Sequence, residues 1–111
     1  MIRITYDEKN LTIRAEGHAG FAEPGQDIVC AAVSILLHTL AINLQHFERY
    51  GWYELEGEAE KQGDFYIRVI PRGYYSMVTE MMRFTMRGLK KIAEQYGDYI
   101  RIKEDGTDGG I

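Results

Sequence analysis

At 111 residues, with 45% hydrophobic and 27% charged side chains, the chain is sized for one soluble domain and leaves no room for a second core. Its formal net charge of −4 argues against general nucleic-acid binding, because its Arg and Lys residues are scattered apart from a short cluster in RGLKKIAEQ. A single cysteine excludes an internal disulfide, a CxxC pair and a multi-thiolate zinc cage, so no metal or other cofactor is expected.

IRITY alternates apolar and polar residues with the period of a half-buried strand, and DEKN (7–10) is a polar turn. LTIRAEG then alternates again, so the two runs read as a β-hairpin that delivers the chain to Gly17 and His18. The charged, alternating start is no secretory signal. Residues 19–26 hold Gly20, Phe21, Pro24 and Gly25 and read as a loop. A long helix is expected from Ile28 to about Arg49, with Val29, Val33, Leu36, Leu40, Leu44 and Phe47 as its apolar stripe. Asp27 is its N-cap candidate and Gly51 marks its stop.

WYELEGEAEKQGDFYIRVIPR reads as two strands around a turn near 61–63, with Pro71 closing the second. Ser76 opens a second helix to about Tyr96, burying Val78, Met82, Thr85, Leu89, Ile92 and Tyr96, with the methionines as core filler. Gly97 caps it, and DYIRIKE is a last short strand. The order β-β-α-β-β-α-β predicts an α+β domain over 1–104, a mixed sheet with two amphipathic helices, followed by a disordered tail, 105–111. No run of about 18 apolar residues stands out, so no membrane-spanning helix and no membrane partner are expected. A cytoplasmic location follows, where Cys30 stays a free thiol.

If Asp27 caps the helix, Cys30 lies in the first turn, where unsatisfied N–H groups and the helix dipole favour a thiolate. A thiolate is the nucleophile that peptide or thioester chemistry requires, and nearby backbone N–H groups are positioned to hold an oxyanion. Of the three histidines, His38 lies eight residues on, about 12 Å along the helix, and His46 about twice as far. Neither reaches the sulfur for proton transfer, whereas His18 sits across a glycine-rich loop and can fold back. Asp27 either caps the helix or orients the His18 imidazole, and both roles can coexist. Ser34, one turn past Cys30, either lines the pocket or simply packs. Other readings stay open: inert packing of Cys30, an anion-binding loop at the helix start, or a thiol redox sensor.

GHAGFAEPGQDIVCAAVS closely resembles the ribosomal-processing cysteine protease family, Prp, and LKKIAEQYGDYIRI resembles the family's last helix and strand. By that resemblance His18 and Cys30 match the catalytic pair and Asp27 a further motif position. The implied activity is removal of an N-terminal extension, apolar and aromatic, from a large-subunit ribosomal protein. A homodimer is implied too, with 19–26 as a mobile loop over an apolar groove. The segment HFERYGWYELEGEAEKQGDFYIRVIPRGYYS carries no family motif, and its aromatic-rich parts are candidates to adapt the groove to another substrate, such as a phage capsid protein. A non-catalytic peptide-binding factor in ribosome or phage assembly is the alternative function.

Overall fold

The structure, a computed structural model, describes residues 1–58, 63–73 and 76–106. Five strands and two helices follow in the order β1 (Ile2–Asp7), β2 (Thr12–Glu16), α1 (Ile28–Glu48), β3 (Tyr53–Glu58), β4 (Asp64–Pro71), α2 (Ser76–Gln95) and β5 (Ile100–Asp105). This is the α+β order expected. The strands form one sheet in the order β3-β4-β2-β1-β5, with β5 parallel to β1 and every other pairing antiparallel.

Strand periodicity fixes which sheet face is buried. Ile2, Ile4, Tyr6, Ile13, Ala15, Phe65, Ile67, Val69 and Ile100 are all buried, while the alternate residues Arg3, Arg14, Glu16 and Arg101 are exposed. Both helices cover the apolar face. Leu11, expected within the second strand, instead ends the hairpin turn in a left-handed conformation, φ 47°. Burial explains the exception: its side chain is in the core and its carbonyl accepts the Val69 N–H at 3.0 Å.

The buried stripe of α1 is Val29, Val33, Leu37, Leu40, Ala41 and Leu44. Leu36, expected in that stripe, lies to one side and meets α2 at Gly88, where an added Cβ would stand 3.0 Å from a Leu36 methyl. The third side of α1 faces outward and carries Ile28, Ile35 and Ile42. A helix apolar towards sheet, neighbour and exterior is long and apolar enough to cross a membrane by length and composition, which corrects the expectation of no such helix. The amphipathic pattern is cleaner in α2, whose buried side is Val78, Met82, Thr85, Met86 and Leu89, with Met82 and Met86 filling core as expected.

Asp105, first residue of the expected tail, is the last residue of β5 and pairs with Asp7. The remainder of that expectation, from 107 on, and the turn residues 61 and 62 lie outside the described residues.

Candidate active site

Strand β2 ends at Glu16, opposite Asp64 on β4, and the chain turns at Gly17, whose N–H donates to the Gly63 carbonyl at 2.9 Å. His18 follows at once, exposed, with its imidazole against the Gly63 backbone. A Cβ added to Gly63 would stand 2.6 Å from His18 Nε2, and Gly63 has φ +77°. The missing side chain makes room for the ring.

Asp27 caps α1, with Oδ1 accepting the Val29 and Cys30 N–H groups at 3.0 Å each. Its other oxygen, Oδ2, accepts from the N–H groups of Phe21 at 2.9 Å and Ala22 at 3.3 Å. One buried carboxylate thus fastens the start of α1 to the loop that leads into it. Burial pushes the Asp27 carboxyl up, but the N–H groups of Cys30, Ala22 and Phe21 and the Cys30 thiol outweigh it, holding the carboxyl below the usual range. No bond joins Asp27 to His18 among the described residues, and its oxygens face backbone donors.

Cys30 is half-buried in the first turn of α1 and its sulfur accepts the Ala19 N–H at 3.3 Å. The expectation that N–H groups beside Cys30 hold an oxyanion needs correction. Those of Val29 and Cys30 already donate to the Asp27 carboxylate, and that of Ala31 donates to the Asp27 carbonyl. The donor facing the sulfur comes from the residue after the histidine.

The loop 19–26 arches over this point. Gly20, Pro24 and Gly25 line a cavity of about 630 Å³ shared by His18 and Cys30. Phe21 turns away and packs edge-on against Tyr96 and Tyr99, with centroid distances of 5.6 and 5.3 Å. The floor is apolar, built from Ile2, Ala15, Val33, Leu37 and Phe65, and Ser34 lies on the wall one turn past Cys30. The cavity therefore offers a thiol, an imidazole and an apolar bed of side-chain size.

Several lining residues escaped the sequence reading, Gly63, Phe65 and His38 among them. Gly63 and Phe65 arrive through the pairing of β4 with β2, in which Phe65 lies opposite Ala15. His38, too far along α1 to act on the sulfur, still lines the cavity, its ring 6.2 Å from that of Phe65. Of the aromatic-rich middle segment, Phe65 contributes to the groove. Phe47, Tyr50 and Trp52 instead stack on one another at the other end of α1, about 25 Å from Cys30. Within one chain they stand apart from this groove, and Tyr74 and Tyr75 of the same segment lie outside the described residues.

A thiol at a helix start, facing a cavity that an imidazole shares, suits the chemistry of a cysteine peptidase. The family model for cysteine protease Prp matches residues 1–101, and the chain belongs to that family and is a cysteine protease. It is 30% identical to the ribosomal processing cysteine protease Prp of Mycoplasma pneumoniae over 114 residues, covering 97% of this chain and 99% of the relative. Its fold is similar to that of an essential ribosomal processing protease Prp from S. aureus in complex with a covalently linked product peptide. There the TM-score is 0.78 at 22% identity, over 95% of this chain and 100% of the other. A second S. aureus Prp structure, in complex with a substrate peptide, gives 0.68 at 22% identity, over 94% and 97% of the two chains.

Proposed function

We propose that this chain is an endopeptidase that removes the N-terminal extension of a large-subunit ribosomal protein, with Cys30 as nucleophile and His18 as general base and acid. One observation carries the reading. His18 and Cys30 line the same apolar-floored cavity, with the Ala19 N–H directed at the sulfur. The processing activity named for the Mycoplasma pneumoniae relative supports the substrate class.

The chemistry needs no group beyond these side chains. The Cys30 sulfur attacks the scissile carbonyl carbon while His18 takes the thiol proton. As the C–N bond breaks, His18 hands that proton to the leaving amine, and the acyl group stays on sulfur as a thioester. Water, deprotonated by His18, adds to the thioester; the C–S bond breaks, the acid leaves, and sulfur regains a proton. The Ala19 N–H is the donor placed to follow negative charge from the sulfur to the carbonyl oxygen. Asp27 is a positioning residue that holds helix and loop in register. Gly20, Pro24 and Gly25 form a rim over the groove, and its reordering admits the peptide.

The ribosomal processing named for the relative supports a cytoplasmic setting, and the outer side of α1 supports a homodimer. Ile28, Ile35 and Ile42 are spaced by seven and are 54%, 65% and 64% exposed. Two copies of α1 crossing antiparallel about a two-fold axis at Ile35 would set each Ile28 against the partner's Ile42. Such a self-complementary arrangement is what an isologous interface requires.

The test is incubation with purified large-subunit ribosomal proteins from the source cell, followed by N-terminal mass spectrometry. A single shortened N-terminus, absent with Cys30→Ala, is expected. Intact N-termini throughout, alongside cleavage of a phage capsid protein, would transfer the substrate to the latter.

A further inference from the structure

Four basic residues that lie apart in the sequence meet on the side of the sheet that neither helix covers. Strand register brings them together. β5 sets Arg101 beside Arg3 and Lys103 beside Thr5, while β2 sets Arg14 beside Thr5 from the other flank. Arg3, Arg14, Arg101 and Lys103 are all exposed and surround the half-buried Thr5. Neighbouring strands are about 4.8 Å apart and alternate residues of one strand about 6.6 Å, so the four cations share one patch.

Their charge is only partly answered within the chain. Arg14 lies over the Tyr66 ring at 4.7 Å, with Glu16 and Asp64 each 3.9 Å from its guanidinium. Among the described residues Arg3, Arg101 and Lys103 have no ion pair, and Arg101 donates only to the Gly97 carbonyl. Asp7 and Asp105 stand at the other end of the strands, two residues past Thr5 and Lys103 and about 13 Å from the row of Arg3 and Arg101. The exposed Glu54 and Glu56 belong to β3, four strand spacings or about 19 Å from β5, beyond the Debye length of about 10 Å at 0.1 M salt. A net charge of −4 thus excludes a basic surface all round but leaves a local positive face. Its make-up favours one polyanion. Guanidinium groups pair bidentately with phosphate, and a tyrosine ring beside an arginine is a platform for unpaired bases.

We propose that the open sheet face around Thr5 binds the phosphate backbone of single-stranded RNA through Arg3, Arg101 and Lys103, with Arg14 and Tyr66 at its margin. The patch lies at the same end of the sheet as the reacting pair but on the reverse side. Ile2, next to Arg3, lines the groove, and Glu16 lies two residues before His18. RNA held there leaves the groove open. A protease for a ribosomal protein would by this face be held beside substrate already seated on RNA, although the binding itself does not depend on the substrate reading.

The experiment is fluorescence anisotropy of a labelled mixed-sequence RNA, about 12 nucleotides long, titrated with the full chain at several salt concentrations. Three or four neutralised phosphates predict a slope of about −2 to −3 for log K against log salt, or a loss of about 20- to 50-fold from 50 to 200 mM. Arg3→Gln and Lys103→Gln should each weaken binding and flatten that slope by about 0.7. Lys91→Gln, on the exposed side of α2, removes the same charge away from the patch and should leave the slope unmoved. Circular dichroism confirms the fold of each variant. No binding at 50 mM salt, or the same loss with Lys91→Gln as with Lys103→Gln, overturns the proposal. Displacement of the RNA by a polyglutamate peptide of equal charge at equal concentration would make the face a site for acidic protein segments and overturn the assignment to RNA. The measurement contains no peptide substrate, so its failure and the failure of the protease reading are separate results.

Discussion

The His18 imidazole and the Gly63 backbone touch so closely that one extra carbon on Gly63 would come within 2.6 Å of Nε2. Gly63 sits just before β4, bonded through its carbonyl to the Gly17 N–H, so the strand pairing that builds the sheet also seats the His18 imidazole. Gly63→Ala should therefore displace the ring towards the groove and lower kcat at least tenfold. The positive φ adds a stability cost of about 1 kcal/mol. Steady-state kinetics with thermal melting separates the two effects, and unchanged kcat in a folded variant contradicts this seat for His18.

Asp27 joins loop and helix by four bonds, so its removal should be felt in both. Asp27→Ala is expected to cost about 1–2 kcal/mol through the lost cap alone. Hydrogen exchange should rise at the Phe21 and Ala22 amides as well as at the helix start. Faster exchange at the helix start alone would contradict the two-sided clamp.

Acid should weaken the same clamp. The Asp27 carboxyl is held below its ordinary value in the folded chain, so its stabilisation is complete above about pH 4. It is lost as pH falls through the depressed value, when the native carboxylate takes up a proton. Glu8 behaves alike, because the Arg83 guanidinium grips both its oxygens at 2.7 and 2.8 Å and lowers its carboxyl. Denaturant titrations between pH 7 and 3 should show stability falling at the acid end, with a smaller fall in Asp27→Asn. Parallel curves for wild type and variant would remove Asp27 from the acid response.

The isoleucine ridge on α1 predicts the effect of a charge on assembly. Ile35→Asp, at the centre of the ridge, should convert a dimer into a monomer in sedimentation, with the fold intact because Ile35 is 65% exposed. A wild type that sediments as a monomer at tens of micromolar contradicts the interface.

Local chemistry made much of this site legible in the sequence. Asp27 followed by an apolar helix signals a cap within a few residues, and the cap placed Cys30 in the first turn. The alternation of β1, β2 and β4 gave the buried sheet face. What required coordinates was nonlocal. Gly63 and Phe65 reach the groove only through the register of β4 on β2, which spacing along the chain does not encode. His38, set aside as a base by distance, still lines the cavity, because distance along one helix says nothing about what else lines it. The oxyanion donors expected beside Cys30 failed for a related reason, since the same Asp27 that starts the helix occupies them.

The central claim is that the Cys30 sulfur, served by His18, becomes acylated by the peptide it cuts. Intact-mass analysis of the chain quenched in acid during turnover tests this most directly. The prediction is a species heavier by the acyl half of the substrate, mapped to Cys30, that decays as product forms and is absent in Cys30→Ala. Undiminished cleavage by Cys30→Ala, or an adduct on any other residue, would contradict it.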